Sequence, residues 1–231
     1  MTETTAAAST GIPAASDTRI RLQARRTARR RANTMRRLHH HAVRTDDMAA
    51  TRRFYEDLLG MPMVAALREN VDLGGGEKPF LHCFFEMADG SCLAFFQFLP
   101  DAFGPATKLP RHGVDHHLAM LVAGFDEIAR LKAKFDALLY PNCGINHGFC
   151  YSHYVRDPNG MLVEFVVEPA NELELCETAA ASAHEELAKW QDQDYAPNHL
   201  ARATMACPFP TSPAEDIAKV IAGERHEEEQ R

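Results

Sequence analysis

The strongest constraint on this chain is a pattern that it contains twice. LHHHAVRT, from residue 38, reads as a strand, and DMAATRRFYEDLLG reads as a helix opened by Asp47 and closed by Gly60. Met48, Thr51, Phe54, Tyr55, Leu58 and Leu59 form the inward stripe of that helix. Three strands are predicted next, MPMVAALRE, PFLHCFFEMA and SCLAFFQFL, the last two joined by a hairpin turn at Asp89-Gly90. After a Pro-rich connection over residues 99–112 the same βαβββ order returns: DHHLAMLV, a helix with Phe125, Ile128, Leu131, Phe135 and Leu138 inward, and strands around 141–149, 150–156 and 161–168. HHAVRT (40–45) aligns with HLAMLV (117–122), and the turn Asp89-Gly90 aligns with Asn159-Gly160. The expected class is therefore α+β, with tandem modules over 38–98 and 115–168 inside a domain spanning 35–169.

The flanks read differently. Residues 1–34 begin Ala/Thr/Ser-rich and then hold seven arginines against Glu3 and Asp17, without the apolar periodicity that would bury a face, so a disordered Arg-rich extension is expected. An organelle transit peptide shares that composition. Residues 170–231 read as a helical tail, with Leu173, Leu187 and Trp190 as buried candidates in 171–193 and a short helix near 214–222.

Composition narrows the function classes. A net charge of -7 gives no general attraction to nucleic acid, and no apolar run approaches the roughly 20 residues that cross a bilayer. A cytoplasmic, non-membrane protein is the expectation. The six cysteines fall at irregular spacings without a C-x-x-C pair, which argues against a zinc knuckle or a disulfide framework and for reduced thiols.

The repeat also picks out chemistry. His40 and His117 occupy equivalent places on the first strand of each module, and Glu164 lies four residues beyond Gly160 on the last strand, where Ala94 is its counterpart. Glu164 sits within the apolar run MLVEFVV, where an uncompensated carboxylate is costly. Pairing with an arginine such as Arg44 or Arg156 is one compensation. A metal is the other, because two imidazoles and one carboxylate facing a common point leave coordination positions open, a pattern that favours Fe(II), with Mn(II) next. Strand alternation sends His40 to one face and His39 and His41 to the other.

HHHAVRTDDMAATRRFYEDLLGMP and YVRDPNGMLVEF resemble the opening signature and the closing hairpin of the vicinal oxygen chelate superfamily, which includes glyoxalase I, fosfomycin and bleomycin resistance proteins and type I extradiol dioxygenases. The resemblance covers about residues 38–168 and implies that the paired modules form an eight-stranded open cup around a metal. Glyoxalase-like members carry a fourth ligand at the position of Ala94. Ring-cleaving dioxygenases carry the three retained here, so the resemblance implies an extradiol enzyme that cleaves a catechol-like diol with O2. It further implies catalytic roles for Tyr154 and His147; His82, His153 and Phe95 are the candidate substrate contacts, Phe95 as one wall of an apolar pocket for an aromatic ring. The acid/base histidine of ring-cleaving relatives is replaced by Ser91, with His82, His147 and His153 as the candidates to take its place. Two alternatives stay open: a metal-dependent isomerase, epimerase or lyase, and a non-catalytic small-molecule binder. A homo-oligomer is expected.

Overall fold

The computed structural model describes residues 15–72, 74–99, 102, 104 and 116–198. Their elements run α1 (Ala15–Ala32), β1 (His40–Arg44), α2 (Met48–Arg52), a π-helical turn over Arg53–Leu58, β2 (Met63–Asp72), β3 (Glu77–Glu86), β4 (Cys92–Phe98), β5 (His117–Leu121), α3 (Phe125–Ala137), β6 (Asn142–Asn146), β7 (Tyr151–Arg156), β8 (Leu162–Val167) and α4 (Glu172–Gln191). The contacts divide these residues into two units, 37–169 and 15–36 together with 170–198. Among the described residues, no helix is long and apolar enough to cross a membrane.

In the unit 37–169 the duplication becomes two open four-stranded sheets, β1-β4-β3-β2 and β5-β8-β7-β6. The first and last strands of each module pair in parallel, and the other pairs are antiparallel. Ala42 stands opposite Ala94 where Ala119 stands opposite Glu164, and Phe84 flanks Ala94 where Tyr154 flanks Glu164. The two halves therefore agree in register at these places, and differ at the outer strand, where β2 carries a bulge between Met63 and Ala65 that β6 lacks.

Because side chains alternate along a strand, each sheet has two distinct faces. One face of each sheet carries Cys83, Phe85, Leu93 and Phe95, or Val155, Val163, Phe165 and Val167, into a common core with Phe54 and Tyr55 from the π-helical turn after α2 and Ile128, Leu131 and Phe135 from α3. The other faces carry His40 and His117. The positions around α2 follow the sequence reading: Asp47 caps the helix, its side chain accepting from the Ala50 amide at 2.9 Å, and Gly60 takes a φ of 80°, open to glycine at little cost. In the π-helical turn the Leu59 amide donates to the Phe54 carbonyl five residues back. The adjacent Phe54 and Tyr55 are both fully buried there.

One buried polar contact joins the modules. Asp157, fully buried, accepts from the Tyr55 hydroxyl at 3.0 Å and from the amides of Asn159 and Met161 at 2.9 and 2.8 Å. Burial raises its pKa and these hydrogen bonds oppose the shift.

Several expectations are corrected. Residues 15–32 form a helix rather than a disordered extension. Its contacts are charged instead of apolar: Arg26 makes a fork to Glu172 at 3.0 and 2.6 Å, and Arg29 makes another to Glu177 at 2.9 and 2.7 Å, both acids on α4. Arg26 and Glu177 are almost wholly enclosed, with 8% and 7% exposure. Leu173 is buried as expected, but Leu187 and Trp190 are exposed, because α4 turns its acidic side to α1. Phe125 is also exposed, as the first residue of α3 before the inward stripe begins. Cys143 is disulfide-bonded, whereas Cys83, Cys92, Cys150 and Cys176 form no disulfide; irregular spacing says nothing about which thiols meet in space. The helix expected near 214–222 lies outside the described residues.

Candidate metal centre

β5 and β8 run side by side and in parallel, with Ala119 opposite Glu164, and this register sets His117 two residues before the carboxylate's neighbour on the same face. His117 Nε2 lies 3.1 Å from Glu164 Oε2. Glu164 is 6% exposed, and its other oxygen accepts from the Ser152 hydroxyl on β7. The carboxylate that the sequence left in search of a partner is thus met by an imidazole and a hydroxyl. Neither Arg44 nor Arg156 takes that part: Arg44 donates to the Gly104 carbonyl and Arg156 to the Gly160 carbonyl.

Tyr154 pairs with Glu164 across β7 and β8, and its hydroxyl is 3.0 Å from His147 Nε2. Burial pushes the Tyr154 phenol up to about 12, with the nearby Glu164 charge acting in the same direction, so it stays protonated at neutral pH. His147 is fixed from behind by its own amide, which donates to the Cys150 carbonyl at 2.9 Å. Three side chains of sheet 2, His117, Glu164 and Tyr154, therefore share one face, joined there by His147 from the connection just after β6. Ser152 is a fifth that the sequence reading missed, although counting back two from Tyr154 places it on that face.

His40 holds the equivalent place on sheet 1, opposite Cys92 where His117 is opposite Leu162. Its ring is exposed, with Nδ1 2.8 Å from His39 Nδ1 and its centroid 5.6 Å from Phe84 and 6.4 Å from His82. The structure brings His117 and Glu164 together and does not bring His40 to them. Among the described residues, no group of three His, Cys, Asp or Glu side chains is gathered closely enough to hold a metal ion.

The pair nevertheless has ligand geometry. Two donors at about 2.1 Å from one ion and at right angles to each other lie about 3.0 Å apart, close to the observed separation. An imidazole nitrogen and a carboxylate oxygen also suit a borderline divalent cation. His117 and Glu164 fit a metal; His40 is not gathered with them.

Two expected substrate contacts are on the wrong side of their sheets. Phe95 is fully buried against Tyr55 and Phe85, and His153 is 1% exposed and stacked on Phe135 of α3 at 6.2 Å. Each is the immediate neighbour of a residue on the site face, Ala94 or Tyr154, so strand alternation turns it into the core. His82 is on the site face, stacked on Phe96 with centroids 3.9 Å apart. Burial lowers its pKa and Glu69 partly restores it.

The model of the Glyoxalase/Bleomycin resistance protein/Dioxygenase superfamily matches residues 37–165. No curated protein matches the chain. Among solved structures, lactoylglutathione lyase from Agrobacterium tumefaciens is similar at 22% identity and a TM-score of 0.40, covering 58% of this chain and 95% of that one. The fosfomycin resistance protein FosX from Listeria monocytogenes, complexed with Mn(II) and sulfate, is similar at 16% identity and a TM-score of 0.43, covering 60% and 98%. An oxidase, ChaP-H2, is similar at 24% identity and a TM-score of 0.40, covering 59% and 96%. With its two βαβββ modules and a family match over more than half its length, this chain belongs to the glyoxalase/bleomycin resistance protein/dioxygenase superfamily.

Proposed function

We propose that the chain is a metal-dependent extradiol-type dioxygenase that cleaves a catechol-like aromatic diol with O2, with Fe(II) as the metal and Mn(II) as the next choice. His117 and Glu164 are two of its ligands and His40, exposed beside His39 and Phe84, is the third. The observation that carries this reading is the pairing of His117 with Glu164 on a face where the equivalent place of sheet 1 is Ala94. At most three of the repeat's places can then donate, and the positions left open accept a bidentate diol and a second small reactant.

When bound, the metal supplies Lewis acidity toward the diol and one-electron exchange with O2. The chain's own groups do the rest. Ser152 fixes one oxygen of Glu164 and thereby aims the other. Tyr154, protonated and beside Glu164, is placed to donate a hydrogen bond to a substrate oxygen while its own oxygen accepts from His147 in the tautomer protonated at Nε2. Phe84 and Phe96 give the site face of sheet 1 an apolar lining for a flat ring.

The Tyr154–His147 couple also supports a second reading, metal-dependent isomerase, epimerase or lyase chemistry, which needs proton transfer and no oxygen. One experiment separates the readings. Protein purified without chelator is analysed for metal, and oxygen uptake is followed with a panel of catechols in the presence of Fe(II). The dioxygenase reading expects stoichiometric divalent metal, its loss in Glu164→Gln, and catechol-dependent uptake with a yellow ring-opened product. Metal without uptake across the panel overturns it in favour of the second reading, and absence of metal overturns both.

A further inference from the structure

The site face of sheet 1 is more than an apolar wall. Arg44, Phe96 and His82 form one row across β1, β4 and β3, and Phe98 and Phe80 form the next. The rings are continuous. His82 stacks on Phe96, Phe80 is 5.7 Å from Phe96 and 5.3 Å from Phe98, and the Arg44 guanidinium lies over the Phe98 ring at 5.8 Å. These rings are only half-buried, whereas Phe85 and Phe95 on the opposite face are fully buried. A sheet face lined with phenylalanines but left partly open is suited to a ligand.

Within this lining two nitrogens are buried without a hydrogen-bond partner: Arg44 Nε and His82 Nε2. A buried polar group left unpaired costs about 1–3 kcal/mol. Both nitrogens flank the same ring, Phe96, from neighbouring strands. The guanidinium is fixed in place by the Gly104 carbonyl, and the nearest acid of its own ion pair, Asp46, is 3.8 Å away and mostly exposed. Among the described residues the other acids on this face, Glu69 on the far strand beyond Phe80 and Glu86 opposite Cys92 at the far end of β3, are both exposed. The positive charge beside the rings is therefore only loosely matched.

We infer that Arg44 forms a subsite for the anionic group of a planar aromatic ligand that lies on the rings beside it, so that the substrate class is an aromatic carboxylate rather than a neutral arene. A guanidinium matches the geometry of a carboxylate, and the phenylalanine faces match a flat ring. The inference rests on the reading of an aromatic substrate, but it requires neither ring opening nor a particular metal.

The test uses probes without vicinal oxygens. 2-Naphthoate and the neutral 2-naphthamide are titrated into the protein as purified by isothermal calorimetry. The naphthoate is expected to bind at least tenfold more tightly, and Arg44→Gln is expected to abolish that preference while leaving naphthamide binding unchanged. Arg44→Lys, which keeps the charge and loses the fork, is expected to retain part of it. Equal affinity for the two probes, no binding of either, or a preference that survives in Arg44→Gln overturns the subsite; the last result would assign the carboxylate to the metal. A failure of catechol-dependent oxygen uptake leaves these outcomes untouched, so the two proposals fail separately.

Discussion

His153 sits on the core side of β7 with both ring nitrogens buried and unpaired, stacked on Phe135. Burial pushes its pKa down from the ordinary 6.5 to about 4, with Lys132 adding to the shift and Asp136 opposing it. A histidine whose folded pKa is lower than its unfolded one binds more protons in the unfolded chain, so stability falls as pH drops through 6.5 and stops falling near 4. Between about pH 7.5 and about pH 5 those two values correspond to a loss of about 2 kcal/mol. That is an upper bound, because water reaching the sheet screens part of the effect. His153→Leu removes the titrating group and both unpaired nitrogens while keeping an apolar side chain against Phe135. Urea denaturation of wild type and variant at the two pH values measures the difference directly, since every other titrating group is common to both. The variant is expected to be at least as stable at the higher pH and to lose about 1–2 kcal/mol less on acidification. Parallel pH dependences would refute the burial argument. Loss of ligand binding in a stably folded variant would return His153 to the site.

Two further outcomes test the frame. Tyr55→Phe removes one of the hydrogen bonds to buried Asp157 and is expected to cost about 1.5–3 kcal/mol in urea denaturation, as for bonds to charged acceptors. Glu177→Ala leaves Arg26 and Arg29 without their shared partner and is expected to speed tryptic cleavage at the arginines of α1, while the exchange protection of β4 and β8 stays unchanged.

The fold was legible because duplication and alternation are written directly in sequence. The hairpin turns at Asp89-Gly90 and Asn159-Gly160 fix the end of each module, and counting from them finds Glu164 and Tyr154 on one face. The same rule, applied one residue further, assigns Phe95 and His153 to the core, since neighbours on a strand cannot share a face. The helix at 15–32 was not legible for a different reason. Its partners are glutamates about 150 residues later, and a charged contact of that kind leaves no periodic apolar mark. The distance between His40 and the other two candidate ligands depends on side-chain orientation and on how the two sheets are set against each other, and neither is encoded in spacing along the chain.

Two copies of one unit need not keep the same equipment. Where β8 retains an acid flanked by a phenol, the matching spots of β4 and β3 hold a methyl group and a phenyl ring, Ala94 and Phe84. At these two spots one half offers surface for flat organic molecules, while its twin keeps the carboxylate and the phenol. Exchanging residues between corresponding spots of the two halves offers a way to re-equip either half without redesigning the backbone that carries it.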